Sequence, residues 1–125
     1  MIEVSKAVIE KDGKFLLLKR ASHSATYPEM WDFAGGKLED DETPQESVIR
    51  EVKEETSLDI EPGEAVKTAV HHKGKLSKPL IHFFKSRLAS GNVHLSSEHS
   101  DFKWVTKNEM KTLPLHPAVE LYFKR

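Results

Sequence analysis

Lys14-Phe15-Leu16-Leu17-Leu18-Lys19-Arg20 is the stretch that decides the architecture. Its unbroken apolar run predicts a strand covered on both faces, because successive side chains of a strand point to opposite sides. A strand of that kind belongs to a sheet with helices on either side of it. Just upstream, Glu3 to Glu10 carries Val4, Ala7, Val8 and Ile9, and Asp12-Gly13 between the two runs is the dipeptide that a tight hairpin turn prefers. The opening residues therefore predict strand, turn, strand within a layered α/β/α fold.

Downstream, residues 21 to 30 are polar and interrupted by Pro28, which predicts a loop, and Trp31-Asp32-Phe33-Ala34 alternates like a short strand before Gly35-Gly36. An acidic loop follows from Lys37 to Thr43. Thr43-Pro44-Gln45-Glu46 then combines an N-cap Thr, a Pro at the first helical position and a Glu three residues after the cap. The helix that starts there is expected to run to about Ser57, and Glu61-Pro62-Gly63-Glu64 lies beyond its end. Further strands are expected at Ala65 to His71, Leu80 to Leu88 and Phe102 to Val105, punctuated by Gly74, Pro79 and Gly91. A short helix at Lys107 to Leu113 and another at Pro117 to Phe123 close a chain of about six strands and two main helices.

A length of 125 residues, 38% of them hydrophobic, fits one domain spanning residues 1–125. The 19 basic and 20 acidic side chains leave a net charge of -1, so there is no overall basic field to hold duplex nucleic acid. Cysteine is absent, which removes thiol catalysis, disulfides and thiolate zinc sites. No stretch approaches the roughly 18 apolar residues of a membrane span, and the N-terminus lacks a signal-type apolar core. A soluble, cytoplasmic protein without a membrane partner is the expectation. The adjacent His71 and His72 would point to opposite faces of a strand, which argues against a histidine zinc site.

On a helix over residues 44–57, Val48, Ile49, Val52 and Thr56 fall on one arc and Glu51, Glu54 and Glu55 on another. Like charges at three- and four-residue spacing cost roughly 0.2–0.5 kcal/mol per pair. A solvated face with ion pairs such as Glu46 to Arg50 accounts for that composition, and so does a hard divalent cation with a phosphate substrate.

The surrounding residues separate the two accounts. Gly36, then Glu42 six positions on, then Arg50-Glu51-Val52-Lys53-Glu54-Glu55-Thr56-Ser57-Leu58 resembles the Nudix box, G-x5-E-x7-R-E-U-x-E-E-x-G-U with U aliphatic. The match covers residues 36–58 and fails only at Ser57, which stands where the family has Gly. The flanks are similar too: Lys19-Arg20, Trp31 to Lys37, and Glu98-His99 to Trp104-Val105. Asp41 and Ala34 replace a frequent Gly and Pro, and none of the three departures removes a functional side chain of the family.

The resemblance, nearest to the MutT-like small nucleotide hydrolases, implies a Nudix-type α/β/α sandwich with a mixed, largely central sheet. It implies a divalent metal, Mg2+ or Mn2+, held by Glu51, Glu54, Glu55 and the Gly36 carbonyl. Glu51, Glu54 and a late-loop Glu98 are the expected catalytic groups, Arg20 and Lys37 the expected phosphate contacts, and Glu42 with Arg50 a supporting ion pair. The implied reaction is hydrolysis of nucleoside diphosphate-linked compounds, foremost a nucleoside triphosphate to monophosphate and pyrophosphate. Dinucleoside polyphosphates, ADP-sugars, and nucleotide sensing without turnover are the alternatives. Trp31, Tyr27, Phe83 and one of the adjacent histidines are available to stack on a base, although core or rim packing also explains them. Neither Leu115 nor His116 reproduces the paired hydrogen bonds of the base-reading Asn in oxidised-guanine hydrolases. The implied partner is a small-molecule nucleotide, bound by a monomer or homodimer.

Overall fold

The structure, a computed structural model, describes residues 2–70 and 79–124, the side chains of residues 67–70 excepted. Its elements are β1 (Glu3–Lys11), β2 (Lys14–Arg20), β3 (Trp31–Asp32), β4 (Ala34–Lys37), α1 (Pro44–Thr56), β5 (Asp59–Val70), β6 (Leu80–Ser90), β7 (His99–Val105), α2 (Lys107–Met110) and α3 (Pro117–Phe123). His71, His72 and Gly74 lie outside the described residues.

The leucine run does what its composition requires. Phe15 and Leu17 join a core with Phe33, Phe83 and the α3 residues Ala118, Val119 and Tyr122. Leu16 and Leu18 join a second core with Val48 and Val52 of α1. Each fully buried leucine contributes roughly 1.5–3 kcal/mol, so the alternation along β2 ties both helical layers to one strand. At the turn, Asp12 and Gly13 take φ of 53° and 78°, the positive pair that a type I′ hairpin needs.

Past the turn, β1 and β2 are paired only at Glu10–Phe15 and Lys11–Lys14. Lower down, β1 pairs instead with β4 antiparallel over Val4–Ala7 and with β6 in parallel, while β2 pairs with β3 and β7. The sheet is therefore mixed, with seven strands among the described residues rather than about six. The added strand arises where Trp31 to Lys37 is divided at Phe33, its first half pairing with β2 and its second with β1. This exchange of partners opens the two central strands and makes room for a cavity between them.

Helix α1 begins as expected: Thr43 accepts from the Glu46 N–H at 3.1 Å, and Glu46 accepts in return from the Thr43 N–H at 2.9 Å. That reciprocal cap occupies Glu46, and the Glu46–Arg50 pair of the solvated-face account is not formed among the described residues. Arg50 turns instead to Glu39, Glu42, Glu51 and Glu54. The buried arc also differs from the expected one. Ile49 is 44% exposed, whereas Ser47 is buried, its hydroxyl 3.0 Å from that of Ser5 on β1. The arc facing the sheet is centred between Val48 and Glu55, which leaves Ile49 at one margin and Glu54 at the other.

Strand β5 starts at Asp59, six residues before the expected Ala65, and runs through Pro62-Gly63. It occupies the edge of the sheet, where a proline's missing N–H is tolerated, and its register shifts between Pro62 and Ala65. The C-cap Ser57 adopts the left-handed conformation, φ 67°, that glycine takes at no steric cost. Replacing Ser57 by Gly is therefore expected to stabilise the protein by up to about 1 kcal/mol, less the backbone entropy glycine adds to the unfolded chain. A thermal melt that shows no rise would refute this.

Candidate active site

A cavity of about 750 Å³ opens between the diverging strands. Gly36, Glu51, Glu55, Glu98, Arg20 and Lys37 all line it, together with Lys6, His99, Tyr27 and His116. Six of the residues singled out in the sequence thus share one wall system. Glu42, Arg50 and Glu54 do not line it, and of the expected metal and catalytic groups Glu54 alone is missing: its side chain is 59% exposed and accepts from Arg50 at 3.1 Å.

Two glycines set how closely the carboxylates approach the sheet. A Cβ at Gly35 would lie 2.0 Å from the Ser5 carbonyl, and its φ of 149° is closed to other residues. With no side chain there, the Gly35 N–H reaches Glu55 Oε1 at 3.0 Å. A Cβ at Gly36 would lie 2.6 Å from the Glu51 carboxyl carbon, so the bare backbone is what lets Glu51 lie against β4.

Burial pushes the Glu55 carboxyl up to about 9, against the opposing pull of Lys6 and the Gly35 N–H. Burial likewise lifts Glu51 above its ordinary value, Arg50 opposing and Glu54 and Glu98 adding to the rise. Buried carboxyls of this kind need a cation to remain charged. One oxygen each of Glu55 and Glu98 and one nitrogen of His99 lie within 4.8 Å of one another, and oxygen-rich sets of this type suit hard divalent ions. The residues present fit such an ion. Glu98 reaches the cluster because its loop is tied down on both sides: Ser96 N–H donates to the Glu55 carbonyl at 3.1 Å, and Ala21 N–H to the Glu98 carbonyl at 3.0 Å.

Arg50 and Glu42 form the expected supporting pair, in bidentate form at 2.6 and 3.0 Å. The Arg50 hydrogen bonds hold Glu42 down at about 2. The same guanidinium donates to the Lys37 carbonyl at 3.3 Å, which fastens the acidic loop to the helix.

Arg20 sits at the cavity but is largely committed elsewhere. It donates to the Thr26 carbonyl at 2.9 Å, to Thr26 Oγ1 at 2.9 Å, to Ser24 Oγ at 3.0 Å and to Asp32 Oδ2 at 3.3 Å. Its visible work is to organise the loop after β2. Lys37 lies exposed at the cavity rim.

Three residues that the sequence did not single out for the site prove central to it. Lys6 is 6% exposed and donates to Asp32 Oδ2 at 2.9 Å, and Asp32 is 1% exposed. Burial pushes Asp32 up, but Lys6, His116 and Arg20 outweigh it and hold the carboxyl below its ordinary range. His99 is also buried, which lowers its imidazole to about 4, with Lys6 and Arg20 adding to the effect and Asp32 opposing. The signal for Lys6 was a charge on the β1 face that Val4 and Val8 share, and for Asp32 a carboxylate between Trp31 and Phe33.

Of the residues considered for base stacking, Trp31 and Phe83 are buried in the core. Tyr27 faces the cavity, its ring edge-on to His116 at 4.6 Å. His116 is placed by two backbone bonds: its N–H donates to the Trp31 carbonyl at 2.8 Å, and its Nδ1 accepts from Ala118 N–H at 3.0 Å as the N-cap of α3.

A mixed sheet between helices thus carries carboxylates of α1 to the cavity beside β1 and β4. The family model described as NUDIX domain matches residues 2–124, and the chain belongs to the Nudix hydrolase family. It is similar to a CTP pyrophosphohydrolase of Escherichia coli (strain K12), 36% identical over 119 residues that cover 94% of this chain and 85% of the relative. It is also similar to the nucleoside triphosphatase NudI of Enterobacter sp. (strain 638), 29% identical over 93% of this chain and 89% of that one. Among solved structures, the MutT protein of Methanosarcina mazei Go1 superposes with a TM-score of 0.88 at 32% identity, covering 99% of this chain and 91% of that chain. The chain is thus a Nudix pyrophosphohydrolase, of a family that acts on small nucleotides and generally uses a divalent metal.

Proposed function

We propose that this protein hydrolyses nucleoside triphosphates to nucleoside monophosphate and pyrophosphate with Mg2+, or Mn2+, as cofactor. The observation that carries the proposal is the convergence of Glu51, Glu55 and Glu98 with Gly36 on one cavity that Lys6, Arg20 and Lys37 also line. The cation would be held by Glu51, Glu55, Glu98 and the Gly36 carbonyl, with Glu54 within reach after release from Arg50. When bound, it supplies Lewis-acid neutralisation of the phosphoryl oxygens and acidifies water.

The chain's own groups do the rest. Glu98, exposed on its tethered loop, takes the proton of the attacking water, and Glu51, Glu54 or both orient that water. The water oxygen bonds to phosphorus as the P–O bond to the leaving pyrophosphate breaks, and Lys37 offers positive charge to the phosphates. Arg50 and Glu42 act by holding α1 and the acidic loop in register. Turnover rather than sensing is favoured because every carboxylate of the box is present. Relatives named for CTP and for nucleoside triphosphates support a triphosphate over a dinucleoside polyphosphate or ADP-sugar. The reading is of a single cytoplasmic domain, monomeric or dimeric, with neither duplex nucleic acid nor membrane as partner.

A hydrolysis screen over nucleoside triphosphates, dinucleoside polyphosphates and ADP-sugars, with and without Mg2+ or Mn2+, tests this. We expect metal-dependent release of pyrophosphate from a triphosphate, at least about 100-fold slower in Glu54→Gln. Release of inorganic phosphate instead, or a Glu54→Gln variant as fast as the parent, would contradict the proposal.

A further inference from the structure

His99 opens β7 at an irregularity. The β2–β7 pairing steps from Lys19–Asp101 directly to Arg20–His99, so Ser100 is the extra residue of a bulge. In a regular strand His99 and Asp101 would share a face. The bulge separates them, Asp101 remaining exposed while His99 is 8% exposed at the cavity. Its Nδ1 is buried and has no hydrogen-bond partner among the described residues. An imidazole nitrogen left unpaired in the interior is unfavourable, so its retention calls for a partner.

One nitrogen of this ring lies with an oxygen of Glu55 and an oxygen of Glu98 within a 4.8 Å span. Donors around a single ion, each about 2.0–2.2 Å from it, are separated by at most about 4.4 Å, so three groups in this span need little movement to share one. The geometry points to His99 as a nitrogen ligand of the cation held by Glu55 and Glu98, giving this site a mixed nitrogen and oxygen donor set. The inference rests on the metal-dependent reading above and adds a selectivity to it. Mn2+ shares the oxygen preference of Mg2+ but accepts an imidazole nitrogen more readily than the small, strongly hydrated Mg2+ does, so a nitrogen in the donor set shifts selectivity toward Mn2+ over Mg2+.

Electron spin echo envelope modulation of the Mn2+-loaded full chain tests this without reference to turnover. We expect 14N modulation in the parent, its replacement by 15N modulation when histidine is 15N-labelled, and its loss in His99→Gln. The ratio of Mn2+ to Mg2+ affinity is expected to fall about tenfold or more in that variant. Should His99→Gln not fold, survival of the modulation in Gln variants of each of the other histidines assigns it to His99. Mn2+ that binds in a Glu55-dependent way without nitrogen modulation, or modulation that persists in His99→Gln or vanishes with another histidine, overturns the His99 ligand and leaves the metal reading intact. Failure of Mn2+ to bind, or equal binding by Glu55→Gln, overturns both.

Discussion

Glu55→Gln is expected to lower kcat/KM for the triphosphate substrate by roughly 10²–10³-fold while leaving the fold in place. Gln keeps an oxygen to accept from Gly35 N–H, now at 3.0 Å from Glu55 Oε1, so the local backbone loses no partner. What it loses is the charge proposed to hold a cation. The same substitution has a second signature in metal-free protein. The folded chain keeps a proton on Glu55 up to about 9, whereas the unfolded chain releases it near the ordinary carboxyl value of 4.5. Between those values the folded state binds the extra proton, so its stability falls as pH rises, by up to about 1.4 kcal/mol per pH unit from this group. Gln has no such proton to lose. Melting temperatures measured in chelator from pH 5 to pH 9 should therefore decline more steeply for the parent than for the variant. Parallel declines, or a variant that turns over at the parental rate, would sink this account of Glu55.

Lys6→Met should destabilise the protein by roughly 3–5 kcal/mol, the range for removing one partner of a buried ion pair. Asp32 would keep Arg20 at 3.3 Å and His116, whose Nδ1 lies 3.7 Å from Asp32 Oδ1, and that oxygen has no hydrogen-bond partner among the described residues. The penalty comes from stranding a carboxylate in the interior more than from losing attraction. A second substitution separates these contributions: Asp32→Asn placed on Lys6→Met should recover part of the loss, because the stranded charge is then gone. Urea unfolding of both variants gives the comparison. A single variant within about 1 kcal/mol of the parent, or a double variant as unstable as the sum of the singles, would refute it.

The legible parts of the fold are those decided by neighbours along the chain. Asp12-Gly13 accepts positive φ, Thr43 and Glu46 cap each other three residues apart, and Pro117 opens α3, so each boundary follows from local stereochemistry. The start of β5 was hidden for the converse reason. Pro62-Gly63 reads as a terminator locally, and only the strand's place at the sheet edge makes it tolerable. Ile49 was misplaced because the buried arc of α1 is fixed by what it meets, with Ser47 drawn inward by Ser5.

At the site, the spacing of Gly36, Glu42, Arg50, Glu51, Glu54 and Glu55 marked a Nudix box from residue order alone, since one helix and one loop carry all of it. The tertiary structure decided which carboxylates face the cavity. Glu54 and Glu55 are adjacent, about 100° apart around the helix, and one is 59% exposed while the other is buried. It also decided the company they keep: Lys6 from β1, Asp32 from β3, His99 from β7 and His116 before α3 are distant in sequence. They meet because β1 and β2 part below their hairpin. The physical reason is range: capping and turn formation are settled within a few residues, whereas burial, ion pairing and a carboxyl pushed to about 9 depend on strands that only folding brings together.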